Sequence, residues 1–170
     1  MRRFPALARL LLARDRDGIK VFFADAAFAG KDADLVDRHG IAFADEVYNS
    51  WMRRDVAERF RWHQEQGHVV LLVSASFDVY LEPLGQLLEA DDVLCTRLER
   101  DAGVLTGRLV GPNCRGAEKV RRIEQWCTES GVPVSAVQYA YGDSAGDAQM
   151  LELALHAFTV SEIELERTGP

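Results

Sequence analysis

Cysteine is scarce in this chain: three residues, Cys95, Cys114 and Cys127, none in a C-x-x-C spacing. An odd, unpaired set excludes a disulfide framework and a thiolate zinc site, and reads as reduced thiols in a cytoplasmic protein. Long apolar runs are missing too; none approaches the ~20 residues that cross a bilayer, so no stable membrane association is expected. Arg2 and Arg3 precede an apolar stretch, but Arg9 interrupts it and Asp15 and Asp17 follow. With no clean cleavage region there, a secretory signal is not expected. Positive charge is in deficit: 20 Lys+Arg against 27 Asp+Glu leave a formal net charge of −7. Nucleic acid is therefore not an expected partner, since its phosphates need a basic face. A phosphorylated small substrate is still compatible, provided a metal or a local cation faces it.

What remains is an ordinary globular composition, 48% hydrophobic and 28% charged over 170 residues, which excludes disorder and fibrous classes. The length predicts one domain, with room for a small appendage. Two regions differ in pattern. Residues 1–50 place apolar side chains at helical spacing (Leu7, Leu10 and Leu11, then Phe22, Phe23, Ala26 and Ala27), with a break at Gly30-Lys31-Asp32. The first twenty residues carry six cations (Arg2, Arg3, Arg9, Arg14, Arg16, Lys20) against two anions, a local net of +4, read as a solvated helix face.

From about residue 54, helix and strand patterns alternate. Val56, Phe60 and His63 mark a helix that ends near Gly67, and 69–73 (VVLLV) is a short apolar run suited to a parallel strand covered on both faces. A helix is predicted over 78–89, and 93–97 with 104–109 flank Asp101-Ala102-Gly103 as a hairpin. Beyond it come a helix over 116–129, a buried strand over 134–141, a helix over 148–155 and a last strand over 157–160. The alternation predicts an α/β fold, a doubly wound parallel sheet. Its ligands should lie beyond the carboxyl ends of the strands.

Three groups of residues stand at such positions. Ser74-Ala75-Ser76 follows the first strand, and its hydroxyl and backbone N–H groups suit a phosphate oxygen, or simply cap a helix. Asp143 and Asp147 follow the strand over 134–141 among small residues that let a loop approach a ligand. Two carboxylates converging there suit Mg²⁺, which takes one or two carboxylates and completes its shell with water and phosphate oxygens. The plainer reading is a helix cap and a first-turn residue. Between them, Arg115 and Lys119 each offer a cation for developing negative charge, or belong with Arg121 and Arg122 to a solvated surface.

Taken in order, VVLLVSAS, NCRGAEKV and YGDSAGD resemble motifs II, III and IV of the haloacid dehalogenase superfamily, specifically its phosphoserine-phosphatase-like subfamily. The stretch RWHQEQGHVVLLVSASFDVYLEPLG and the hairpin DAGVLTGRLVGPNCRG extend the match over roughly 54–160. The resemblance implies a core over 54–170 and a partial helical cap over 1–53. It also implies Mg²⁺-dependent hydrolysis of a small phosphorylated metabolite through an aspartyl-phosphate intermediate. By position, Ser74 and Ala75 would contact the phosphoryl group, Asp143 would bind Mg²⁺ directly or through water, and Asp147 would support the metal shell. The motif III cation falls on Lys119 or Arg115. Lys119 is preferred, because a rigid guanidinium fork is not a neutral replacement for an ammonium.

The family's motif I, a central strand ending in Asp-x-Asp-Gly-Thr that supplies nucleophile and general acid/base, is not evident. Asp15-Arg16-Asp17-Gly18 carries four of the letters, but Arg14 stands where buried strand is needed and Ile19 replaces the threonine. A chance match is the better reading. The implied strand would lie between those carrying Ser74 and Asp143. The chain then reads as an N-terminally shortened phosphatase or, alternatively, as a non-catalytic binding or interaction module.

Overall fold

The computed structural model describes residues 4–160; Arg2, Arg3 and the last ten residues of the expected core, 161–170, lie outside them. The helices are α1 (Phe4–Leu12), α2 (Arg16–Phe28), α3 (Ala33–Glu46), α4 (Arg54–Glu65), α5 (Asp78–Leu87), α6 (Ala117–Glu129) and α7 (Ala148–Leu151). The strands are β1 (Lys31–Asp32), β2 (Leu71–Phe77), β3 (Asp92–Asp101), β4 (Val104–Val110), β5 (Tyr139–Gly142) and β6 (His156–Thr159). The mixed α/β architecture agrees with the expected haloacid-dehalogenase-like fold.

The first part is helical because side-chain caps start its helices. Asp15 accepts the Gly18 N–H at 2.8 Å, and Asp32 accepts that of Leu35 at 2.7 Å. The expected break at residues 30–32 falls between α2 and α3, and its last two residues form strand β1, paired antiparallel with Val104 and Leu105 of β4. A two-residue strand has no periodicity to read, and only the partner strand defines it. Gly40 lets α3 lie directly on α5, since a Cβ there would stand 1.9 Å from the Val79 carbonyl oxygen.

One sheet has the order β1-β4-β3-β2, with β2 parallel to β3 and the β3–β4 hairpin antiparallel. β5 and β6 form a second, parallel pair. Three strand and helix boundaries differ from expectation. The run at 69–73 enters its strand only at Leu71 and continues through Ser74, Ala75 and Ser76 to Phe77. Val69 is exposed, and Val70 is tied instead to the Asp91 side chain and backbone. Pairing with β3, which shifts register between Ser74 and Phe77, sets these limits where hydropathy does not. The strand expected over 134–141 begins at Tyr139, because residues 134–136 form a 3-10 turn after Pro133. The helix expected over 148–155 closes after Leu151.

Three apolar clusters hold the layers together. Ala24 of α2 and Ala33 of α3 meet Val79, Leu98 and Leu105, while Ala44 of α3 meets Leu81, Leu84 and Cys95. Residues on both sides of position 53 thus share the same core. The third cluster, Ile123, Cys127 and Met150 with Val73 and Leu94 against it, fastens α6 and α7 to β2 and β3. Helix α5 covers these two strands together with α6, so helices lie on both faces as a doubly wound sheet requires.

Candidate functional site

The carboxyl ends of β2 and β5 come together through one side chain. Lys119, in the first turn of α6, donates to the Val73 carbonyl at 2.6 Å and to Asp147 Oδ1 at 2.5 Å. Both charged groups are buried, so Lys119 is not the surface cation that Arg121 and Arg122 suggest; those two are engaged by Glu118. The second Asp147 oxygen accepts the Ser144 hydroxyl at 2.7 Å and the backbone N–H groups of Ser144 and Asp143 at 3.0 and 3.3 Å. Burial alone would raise the Asp147 pKa. The Lys119 ammonium and the Ser144 donors outweigh that and hold it below the usual carboxylate range. Gly142 is needed beside it, as a Cβ there would fall 2.6 Å from Asp147 Cβ.

Asp143 is exposed at the tip of this loop, and its charge reaches Arg53. Arg53 also donates to the Val160 carbonyl at 2.6 Å, just beyond β6. Arg115 is half-buried and lies over Gly146 of the same loop, its guanidinium 3.1 Å from where a Cβ would stand. Both expected cations therefore face the 142–147 loop, but Lys119 alone makes an ion pair with it. Ser74 directly follows the carbonyl that Lys119 holds, and its Oγ accepts the Ser76 N–H at 3.1 Å, leaving the hydroxyl hydrogen available.

Further residues gather here that sequence reasoning passed over. Lys20 of α2 donates to the Ala75 carbonyl at 2.7 Å and lies 3.7 Å over the Phe77 ring; burial lowers its pKa. Buried Asn113 accepts the Thr96 hydroxyl at 2.8 Å and donates to Asp17 at 2.7 Å. In the sequence Lys20 is one of the six basic charges of the first stretch. Its place three residues after Asp17, on one helix face, was the available signal. Asp15 and Asp17 stand at the start of α2, not at a strand end.

The donor set bears on Mg²⁺. Both Asp147 oxygens are occupied by Lys119 and loop donors, which suits a supporting role, while exposed Asp143 is the carboxylate open to a cation. That fits an ion taking few protein oxygens, as far as these residues reach. No cluster of three or more His, Cys, Asp or Glu residues is poised for a metal among the described residues. No helix among them is long and apolar enough to cross a membrane.

The mixed α/β fold brings a hydroxyl, an ammonium and carboxylates to the carboxyl ends of β2 and β5. Among known proteins, the haloacid dehalogenase-like hydrolase family model matches residues 1–152, helical region included, and the chain belongs to that family. It is 32% identical to protein CicA of Caulobacter vibrioides over 155 residues, 91% of this chain and 68% of that protein. A phosphoserine phosphatase of Polaromonas is 33% identical over 129 residues, 69% of this chain and 54% of its own length. A crystal structure of a protein with unknown function from Bordetella pertussis Tohama I shares the fold, with TM-score 0.75 and 22% identity over 89% of this chain and 69% of that one.

Proposed function

We propose that the chain is the larger part of a Mg²⁺-dependent phosphomonoester hydrolase that acts on a small phosphorylated metabolite through an aspartyl-phosphate intermediate. The observation that carries this reading is Lys119, whose Nζ joins the Val73 carbonyl, beside Ser74, to Asp147 at the end of β5. Two of its three N–H donors are spent there, and the third is free for a phosphoryl oxygen. Ser74 donates its hydroxyl hydrogen to a second oxygen, with the Ala75 N–H beside it. Arg115, over the same loop, is a second cation at the rim. Asp143 would hold Mg²⁺, which supplies charge neutralisation to the phosphoryl oxygens when bound; Asp147 orients the loop that presents Asp143. Residues 1–53 would form a partial cap over a core spanning 54–170. The nucleophilic carboxylate would come from a strand ahead of Met1.

The second reading, a non-catalytic binding module, is favoured by one observation: among the described residues no strand pairs between β2 and β5 to present a nucleophile. An assay with an aryl phosphate and Mg²⁺ separates the two. Turnover that Asp143→Asn abolishes supports the hydrolase. A folded chain without turnover above background, which gains none when extended by its in-frame upstream sequence, supports the module.

A further inference from the structure

Two ammonium groups from distant parts of the chain hold the backbone on either side of Ser74. Lys119 of α6 takes the Val73 carbonyl at 2.6 Å, and Lys20 of α2 takes the Ala75 carbonyl at 2.7 Å. The second carbonyl is open to Lys20 because the sheet does not use it. Pairing of β2 with β3 passes from Ser74, opposite Cys95, to Phe77, opposite Thr96, and leaves Ala75 and Ser76 outside the ladder. A half-buried carbonyl without a ladder partner needs another donor. The described contacts of the Lys20 ammonium are this carbonyl and the Phe77 ring, 3.7 Å away, and burial lowers its pKa. Desolvating an ammonium without an opposite charge is costly, so this is not the place of a solvated surface lysine. One turn earlier on the same helix, Asp17 accepts from Asn113 at 2.7 Å, which fastens α2 to the loop ahead of α6 as well.

We propose that Lys20 is the positioning residue of Ser74, acting through the Ala75–Ser76 peptide. In a trans peptide the C=O and N–H point in opposite directions, so fixing one aims the other. Lys20 fixes the Ala75 C=O, and the Ser76 N–H on the far side of the same peptide donates to Ser74 Oγ at 3.1 Å. With a lone pair of Oγ engaged there, the Ser74 hydroxyl hydrogen is left to a phosphate oxygen. The positive charge adds to this, because hydrogen bonds in series polarise one another and make the Ser74 hydroxyl a stronger donor than an isolated serine. Tyr80 restrains the next side chain, donating to Ser76 Oγ at 2.6 Å. Lys20 itself does not touch the ligand; its effect passes through Ser74. The inference rests on the phosphate contact proposed for Ser74, not on turnover, and it makes α2, in the first part of the chain, a component of that contact.

The test is a double-mutant cycle on the full chain, with inorganic phosphate as the probe in calorimetric titration and hydrogen exchange of the Ser76 amide as a second readout. Lys20→Met, which keeps the length and removes the donor, should weaken phosphate binding about fivefold, the worth of one hydrogen bond. It should also speed exchange at Ser76 while residues 71–73 exchange as before. In a Ser74→Ala background the same substitution should weaken binding no further, because its effect runs through the missing hydroxyl. Lys20→Arg, which keeps a cationic donor, should recover most of the binding. Equal losses in the two backgrounds overturn the proposal, since Lys20 would then touch phosphate directly or act on the fold at large. Unchanged binding, unchanged Ser76 exchange, or no phosphate binding by the unaltered chain overturns it as well. If Lys20→Met loses its circular dichroism, Lys20→Gln, shorter and uncharged, carries the same cycle. The expected pattern in a chain without turnover on an aryl phosphate refutes the hydrolase alone; turnover with additive losses refutes the positioning role alone.

Discussion

The two sheets are built very differently. The β2 sheet has four strands, helices on both faces, and two apolar clusters, one of which buries Leu98 and Leu105 to 2% and 0% exposure. The β5 half has two strands of four residues each and a four-residue helix, α7. Apolar contact through Met150 helps to hold it. Much of the rest is polar: Lys119 to Asp147, His63 to Tyr141, and Arg53 to the carbonyl beyond β6. The part that carries Asp143 and Asp147 thus joins one apolar cluster to charged and hydrogen-bonded bridges, whereas the part that carries Ser74 has the larger share of apolar burial. Buried polar bridges are directional and fail abruptly when one partner is removed; apolar packing degrades by volume.

The largest effect should come from the charged bridge. Asp147→Ala leaves the Lys119 ammonium buried without its carboxylate and should cost about 3–5 kcal/mol in denaturant unfolding. Hydrogen exchange should rise in β5 and β6 before it rises in β3. A loss spread evenly over both halves would erase the contrast drawn here. Leu105→Ala, in the apolar half, should cost about 2–5 kcal/mol, with the added exchange confined to β3, β4 and α2.

The histidine bridge sharpens the comparison through pH. Burial, then the neighbouring charges of His68 and Arg59, lower the His63 pKa from 6.5 to about 4. The fold therefore holds His63 neutral while the unfolded chain protonates it. Stability from this group is complete above pH 6.5 and is lost as pH falls toward 4, where the folded state must also protonate. The β5 half should loosen across that window in exchange experiments, and His63→Gln should flatten the slope. An unchanged slope would remove His63 as its source. The smallest effect belongs to the helical end of the chain: Asp15→Ala deletes an exposed cap and should lower stability by about 1 kcal/mol in thermal unfolding, without disturbing either sheet.

Much of the site was legible because its residues follow apolar runs in a fixed order. VVLLVSAS, NCRGAEKV and YGDSAGD place Ser74 after an apolar run and Lys119 and Asp147 near helix starts, and the fold brings the last two into direct contact. Choosing Lys119 over Arg115 rested on the chemistry of an ammonium. In the structure Lys119 forms a buried ion pair with Asp147, while Arg115 lies beside the same loop. Lys20 was legible only as a helix-face neighbour of Asp17, and Asn113 not at all, since they work through partners 55 and 96 residues away, Ala75 and Asp17. Strand limits failed for the same reason: β1 exists because Lys31 and Asp32 meet Leu105 and Val104, and β5 starts late because a turn precedes it.

Local order alone determined the expectation of an α/β fold, because helical and strand periodicities, small-residue loops and the residues after each apolar run are properties of neighbours along the chain. Three-dimensional packing decided that the sheet divides between β2 and β5, that Lys119 is a buried bridge, and that the carboxylate loop hangs on polar contacts. Those outcomes depend on the pairing of strand edges and the exclusion of water, which arise only once distant segments touch.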